Sequence, residues 1–190
     1  MAGSRPAASS TGPCWCRAGW LIQRGLPRAL ALLLVLGLSL SAVGLAALVP
    51  GRLALAAGDS LAITTPIGRR PHPPLGEIWC AAEAGDPAAL AAHSQLTLLE
   101  SGGEADLVEV AIVTGRPHQI RIHCAAVGAP LLGDPLYRPG GWARPGGLPG
   151  EGGYRLQARW LRLQRPDGSV LELEAPPAQD LATAAASQAG

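Results

Sequence analysis

The hydrophobic pattern is most uneven near the start of the chain, where one long apolar run precedes the alternating segments. Residues 29–49 read ALALLLVLGLSLSAVGLAALV and contain no charged side chain. A helix of this length can span a bilayer, and Arg17, Arg24 and Arg28 would keep the amino terminus inside the cell. Pro50 would end such a helix. Taken alone, the run predicts a transmembrane helix over residues 29–49.

Later in the chain, apolar and polar positions alternate in short runs that are typical of strands. These runs lie at residues 95–100, 106–113, 154–164 and 169–174. A Ser-Gly-Gly turn separates the first two runs, and a Pro-Asp-Gly turn separates the last two. The pattern therefore predicts two β-hairpins.

Helical spacing appears in one segment, over residues 118–127. Thr114 offers an N-cap before it and Gly128 a C-cap after it. One face carries an apolar stripe of Ile120, Cys124 and Val127. A second face carries His118 and Arg121, a place suited to an anionic or polar ligand. Several strands and one good helix predict an α+β fold.

Composition adds a boundary but no strong partner signal. The 190-residue chain has a net charge of +1, so it lacks the basic character typical of many nucleic-acid-binding domains. Its cationic residues are all Arg, which together with the many Ala, Gly and Pro is typical of a GC-rich coding region. Residues 1–58 contain no Asp or Glu, and the first acidic residue is Asp59. The shift in composition indicates a boundary near residue 58.

Two adjoining segments carry an extended motif. Residues 114–123 read TGRPHQIRIH and residues 128–137 read GAPLLGDPLY. They resemble the late motif of the RluA-type RNA pseudouridine synthases. Weaker likenesses to the same family are ALVPG at 47–51, PIGR at 66–69, YRLQA at 154–158 and EAPP at 174–177. The resemblance thus covers about residues 47–177.

The resemblance implies a mixed sheet with flanking helices, α+β in class, and an isomerase activity. Members of this family convert uridine to pseudouridine in ribosomal or transfer RNA, without a cofactor or a metal. An aspartate in an early HRLDxxTSG motif attacks the nucleotide, and the base detaches, rotates and rejoins through carbon. The family therefore implies RNA as the partner, and we expect a cytoplasmic monomer.

The resemblance also assigns roles to residues of the helix. Arg121 is implied to be the ion partner of the nucleophilic aspartate, because a nearby guanidinium keeps a buried carboxylate ionised. Ile120, next to it, would pack under the base. The residues expected to contact RNA are Arg116, His118, Gln119 and His123. For Arg116 and His118, structural hydrogen bonding is an equally good interpretation, and Asp134 is expected to cap a turn.

The early motif itself does not occur in the sequence. Residues 1–46 contain no HRL, no TSG and no Asp. We therefore divide the chain into an atypical segment (1–46), a partial synthase domain (47–177) and a flexible tail (178–190).

Three interpretations of the missing motif remain open. The favoured one is a frameshifted or truncated gene whose product is inactive as written. The second is a membrane-anchored, non-catalytic RNA-binding remnant, and the third is an interaction module unrelated to RNA chemistry. The membrane anchor conflicts with the family strand at residues 47–49, since one segment cannot both span lipid and pair into a sheet.

Overall fold

The structure is a computed structural model. It describes residues 39–51, 53–102, 104–149 and 153–176 together with Ala178 and Leu181, and for residues 39–43 it describes the backbone only. Its elements, in chain order, are β1 (Ser39–Pro50), β2 (Ser60–Ile63), β3 (Ile67–His72), β4 (Gly76–Ala81), β5 (Ser94–Ser101), β6 (Ala105–Ile112), α1 (Gln119–Ala126), β7 (Tyr137–Arg138), β8 (Trp142–Ala143), β9 (Leu156–Gln164) and β10 (Val170–Glu174).

One large sheet organises these elements. Its six strands lie in the order β10-β9-β1-β6-β5-β2, and two further two-stranded sheets are formed by β3 with β4 and by β7 with β8. Every one of these pairings is antiparallel. The α+β class predicted from the sequence is confirmed, and so are both predicted hairpins, β5 with β6 and β9 with β10.

The first strand corrects the transmembrane prediction. β1 lies inside the large sheet, where it pairs with β6 on one side and β9 on the other. Its backbone polar groups therefore face neighbouring strands, so residues 39–49 are not part of a helix. Within the described ranges, no helix has the length and apolar character needed to cross a membrane. Residues 29–38 of the predicted span lie outside those ranges.

β1 also runs without interruption across the boundary predicted between residues 46 and 47. Ala46 pairs with Glu109 and Ala47 pairs with Val108. Alternate residues of a strand point to opposite faces of the sheet, so these two alanines serve different packing layers. Both are buried, with 3% and 0% of their surface exposed.

The helix α1 packs between two groups of apolar side chains. The main core lies between the large sheet and α1, and its members include Val49, Leu96, Leu98, Val108, Val110 and Cys124. A second group, the hairpin core, joins α1 to the two small sheets and includes Ile67, Ile78, Ile122, Ala125, Leu136 and Tyr137. The stripe predicted from the sequence is confirmed, because Ile120 and Val127 pack against the main core with Cys124. Apolar contacts on both sides fix the rotation of α1.

The helix ends differ in how well the sequence predicted them. Gly128 directly follows the C-cap residue Val127. The φ of Gly128 is +85°, in the left-handed region that favours glycine, so the predicted glycine end of the helix is confirmed. The N-cap is His118 rather than Thr114, so that expectation is wrong. The Thr114 hydroxyl instead accepts a hydrogen bond from the His93 amide at 2.9 Å and so holds the loop before the helix to the start of β5.

Gly44 offers a test of the sheet packing. A β-carbon at this position would overlap the indole Nε1 of Trp160 on β9. We expect Gly44→Val to lower the free energy of unfolding by about 1–3 kcal/mol, because an added side chain forces the indole out of place. Urea unfolding measures the change, and Gly146→Val serves as the control, since a β-carbon there meets nothing within 4 Å. Equal losses at the two positions would contradict the packing argument.

Candidate active site around Arg121

A hydrogen-bonded network holds the loop before α1. The side-chain oxygen of Gln119 accepts from the Thr114 hydroxyl and from the Arg116 amide, both at 2.9 Å. Its amide nitrogen donates to the His93 carbonyl and to the Ser94 hydroxyl. All hydrogen-bonding atoms of this buried amide are thereby used, which fixes the first turn of α1 against β5.

His123 extends the same network on the next turn of α1. Its Nε2 lies 3.0 Å from the Thr65 carbonyl, which can only accept, so Nε2 donates and Nδ1 accepts from Ser94 Oγ at 2.9 Å. Burial lowers the pKa of this imidazole. Gln119 and His123 are 4% and 0% exposed. This interior placement differs from the RNA-facing position predicted for both residues.

Arg121 points from α1 to Asp134, and the two side chains form a buried ion pair. Nε of Arg121 donates to Oδ2 of Asp134 at 2.8 Å, and Nη2 donates to Oδ1 at 2.6 Å. The side chains are only 3% and 0% exposed. Parallel donation of this kind matches the planar guanidinium to the carboxylate and is the strong form of the pair.

Asp134 is further fixed by the backbone. Its Oδ1 also accepts from the amides of Leu136 and Tyr137, at 2.8 and 3.1 Å. The turn-capping role expected for Asp134 is therefore present in the structure. Its pairing with Arg121 was not predicted from the sequence, because the 13 positions between them carry no periodicity that brings them together.

Two aromatic rings cover the guanidinium. The Cζ of Arg121 lies 4.9 Å from the ring centre of Tyr137 and 4.4 Å from that of Tyr154, within the range of a cation–π contact. In the sequence, both tyrosines stand out only as parts of the family resemblance. Their signal in the sequence was the spacing GDxxY for Tyr137 and the start of a late strand for Tyr154.

The third nitrogen of the Arg121 guanidinium makes no hydrogen bond to the described residues. Nη1 of Arg121 is buried and has no hydrogen-bond partner in the part of the chain that the structure describes. Buried donors are nearly always paired, and each exception calls for an explanation. This nitrogen is the feature of the site that indicates a further ligand.

The charges around Arg121 have opposing effects on its own proton. Burial lowers the pKa of Arg121, but the hydrogen bonds and the charge of Asp134 raise it by more, so the net shift is upward. The guanidinium therefore stays cationic. Burial likewise raises the pKa of Tyr137, so its hydroxyl stays protonated in the range where proteins are stable.

His118 lies at the start of α1 against Tyr137. Its Nδ1 is 2.6 Å from the tyrosine hydroxyl, and the two rings meet edge to face at 5.8 Å. Burial lowers the pKa of His118 to about 4, with the charge of Arg121 acting in the same direction and that of Asp134 opposing it. The imidazole is therefore neutral near pH 7.

The remaining predicted residues lie around this centre. Ile120 is partly buried and packs on the main core. The Arg116 side chain donates from Nε to the Ala91 carbonyl at 2.8 Å, the structural hydrogen bonding that the sequence analysis weighed for it. On the late strand, Arg159 and Arg162 pair with Glu174 and Glu172 of β10 at 3.5 and 3.4 Å.

Among the residues with described positions, no group of three or more His, Cys, Asp or Glu side chains could hold a metal ion. The described site brings together a cation, a carboxylate, two aromatic rings and a neutral imidazole.

Comparison with known proteins relates this α+β fold and site to the RNA pseudouridine synthases. Residues 81–126 match the family model for RNA pseudouridylate synthases. A protein of Synechocystis sp. described as an uncharacterized RNA pseudouridine synthase is 43% identical over 120 residues, which are 58% of this chain and 38% of that protein. RNA pseudouridine synthase 5 of Oryza sativa subsp. japonica is 36% identical over 144 residues, 62% of this chain and 35% of that protein.

A solved structure shares the fold. The human protein called RNA Pseudouridylate Synthase Domain Containing 1 superposes with a TM-score of 0.54 at 22% identity, over 82% of this chain and 62% of that one. The resemblance seen in the motif is confirmed, since the chain is similar to RNA pseudouridine synthases of the RluA type over part of their length. It spans between a third and two fifths of the length of the two curated relatives.

The buried pair generates a stability prediction. We expect Asp134→Ala to lower the free energy of unfolding by about 3–5 kcal/mol, because it leaves the Arg121 charge buried without a counterion. The double variant Arg121→Met with Asp134→Leu should cost less, since neither charge remains. Urea unfolding of both variants measures the difference, and a double variant less stable than Asp134→Ala would contradict the argument.

The imidazole of His118 generates a pH prediction. Its folded pKa of about 4 lies below the ordinary 6.5, so between these values the unfolded chain binds more protons than the folded one. Its contribution to stability is therefore complete above pH 6.5 and is lost as the pH falls towards 4, by an amount on the order of 3 kcal/mol.

Urea unfolding across this pH range, compared with His118→Asn, isolates the contribution because Asn does not titrate. The other groups, including His123, remain in both proteins. Identical pH profiles would show that His118 titrates normally in the folded state.

Proposed function

We propose that this chain supplies the cation-bearing part of a site that isomerises uridine to pseudouridine in ribosomal or transfer RNA. The observation that carries the proposal is the buried Nη1 of Arg121, which has no hydrogen-bond partner among the described residues, on a guanidinium whose Cζ contacts two tyrosine rings. Similarity to RNA pseudouridine synthases supports RNA as the substrate class. We propose further that the chain acts in the cytoplasm as a monomer.

A carboxylate is the ligand that best suits this nitrogen. Nε and Nη2 already donate to Asp134, and Nη1 extends the same planar, charged fork. Charge-assisted bonds from a guanidinium to a carboxylate are stronger than those to neutral acceptors. We therefore assign Nη1 to the nucleophilic aspartate of the family's HRLDxxTSG motif.

Asp134 is a poor candidate for that nucleophile. One of its oxygens accepts from Arg121 and two backbone amides, and the other accepts from Arg121. An attacking carboxylate oxygen needs a free lone pair and access to the nucleotide, whereas the Asp134 side chain is 0% exposed. Its role is to orient Arg121 and to neutralise part of its charge.

The arrangement serves the chemistry in two ways. The Arg121 cation keeps a neighbouring aspartate ionised, and therefore nucleophilic, at neutral pH. The tyrosine rings and Asp134 prevent the guanidinium from turning, so the charge is placed before the substrate arrives. The target base must leave its stack to reach such a recessed site.

The sequence contains no HRLDxxTSG motif, and residues 1–46 hold no Asp. We therefore expect no isomerisation by the chain as written. Activity is expected when residues 1–46 are replaced by the corresponding region of the Synechocystis relative, provided that this region carries the aspartate motif.

The test measures pseudouridine in ribosomal and transfer RNA after incubation with the chain or with the fusion. In the fusion, Arg121→Lys should lower the rate by about a hundredfold, because a point charge cannot keep the fork on Asp134 and also hold a second carboxylate. Arg138→Lys, on an exposed residue, is the matched control. Turnover by the chain as written, or full activity of the Arg121→Lys fusion, would refute the assignment.

A further inference from the structure

Tyr137 is held at its hydroxyl from two directions. Its oxygen lies 2.7 Å from the carbonyl of Trp79 on β4 and 2.6 Å from Nδ1 of His118. A carbonyl can only accept, so the tyrosine proton points to Trp79. His118 must then donate from Nδ1, which fixes the tautomer of its neutral ring.

His118 adopts a backbone conformation that is costly for its residue type. Its φ is 55° and its ψ 16°, and it is the one non-glycine residue with positive φ among those that the structure describes. The left-handed region costs most residues about 1–2 kcal/mol. Such strain persists where surrounding contacts hold it, and it often marks a functional position.

Tyr137 connects the residues that bind its hydroxyl to the guanidinium of Arg121. The ring covers the Arg121 guanidinium at 4.9 Å, and the Tyr137 amide donates to Asp134, the counterion of that guanidinium. A displacement of Tyr137 would therefore change both the cover and the counterion of Arg121. The neutral imidazole of His118 is attached to the outer end of this ring.

We propose that His118 is a positioning residue, which holds Tyr137 over Arg121 so that the unused Nη1 keeps one direction. This inference rests on the proposed function, because it gives a role in that site to a residue that would touch neither nucleotide nor nucleophile. It replaces the RNA contact predicted for His118 from the sequence. In this role, the strained backbone turns the imidazole towards Tyr137.

Two substitutions separate the hydrogen bond from the backbone strain. His118→Asn keeps a nitrogen donor at the δ position and is among the residues that tolerate positive φ. His118→Gly also tolerates positive φ but has no donor. Tyr137→Phe keeps the ring over Arg121 and removes the acceptor. The His118–Tyr137 bond is kept only in His118→Asn, and Tyr137→Phe also removes the hydroxyl bond to the Trp79 carbonyl.

The experiment records the side-chain NMR signals of the full chain labelled with ¹⁵N-arginine. In the wild-type protein, the Arg121 guanidinium should show separate Nη signals, because rotation about its Nε–Cζ bond is hindered. His118→Gly and Tyr137→Phe should speed this rotation about fivefold, the factor that corresponds to the net value of one hydrogen bond. His118→Asn should restore the wild-type rate.

Unchanged Arg121 rotation in both His118→Gly and Tyr137→Phe would overturn the proposal, as would a His118→Asn protein whose rotation matches that of His118→Gly. If His118→Gly does not fold, unchanged Arg121 rotation in Tyr137→Phe, or rotation in His118→Asn as fast as in Tyr137→Phe, would overturn the proposal. The readout does not depend on turnover. A positive NMR result with an inactive fusion would therefore retain the positioning role and refute the proposed function.

Discussion

The buried pair of Arg121 and Asp134 is the interaction on which the rest of the site depends. Taking two charges out of water costs several kcal/mol for each ion, and the cost is offset only when the geometry is good and further hydrogen bonds are made. Here the fork between the two side chains, two backbone amides and two tyrosine rings meet that condition. The pair thereby connects α1 to the turn before β7.

This connection explains why the helix can carry a charge into the interior. α1 is held on one side by the main core and on the other by the hairpin core, while Gln119 and His123 bind it to β5 and to the Thr65 carbonyl. With the helix fixed in rotation, Arg121 has one available direction. Rigid placement of this kind is what electrostatic catalysis requires, since a charge that must reorganise loses its effect.

The large sheet holds the site in place through the core that it shares with α1. β1 lies between β6 and β9, so the strand that the motif ALVPG belongs to forms part of the floor on which α1 packs. The Arg side chains of β9 that pair with Glu172 and Glu174 have much of their charge neutralised locally. The site around Arg121 is thus the place where the described residues leave a buried cationic donor without a partner.

The sequence by itself determined the elements that depend on local periodicity. The two hairpins, the helix over residues 119–126 and its glycine end follow from alternation, 3.6-residue spacing and turn chemistry, and the motif around residues 114–137 indicated the family. The apolar run at 29–49 was misassigned because hydropathy alone does not distinguish a strand buried inside a sheet from a membrane helix. Pairing with β6 and β9 decided this question.

Only the tertiary structure decided which polar groups meet. Arg121 and Asp134, His118 and Tyr137, and His123 and Thr65 are brought together from different elements, and no spacing in the sequence encodes those distances. For the same reason, the sequence placed Gln119 and His123 on the RNA side, while packing buried them. Whether a polar side chain faces a ligand or the interior depends on the rotation of its helix, which the two apolar cores on either side of α1 determine together.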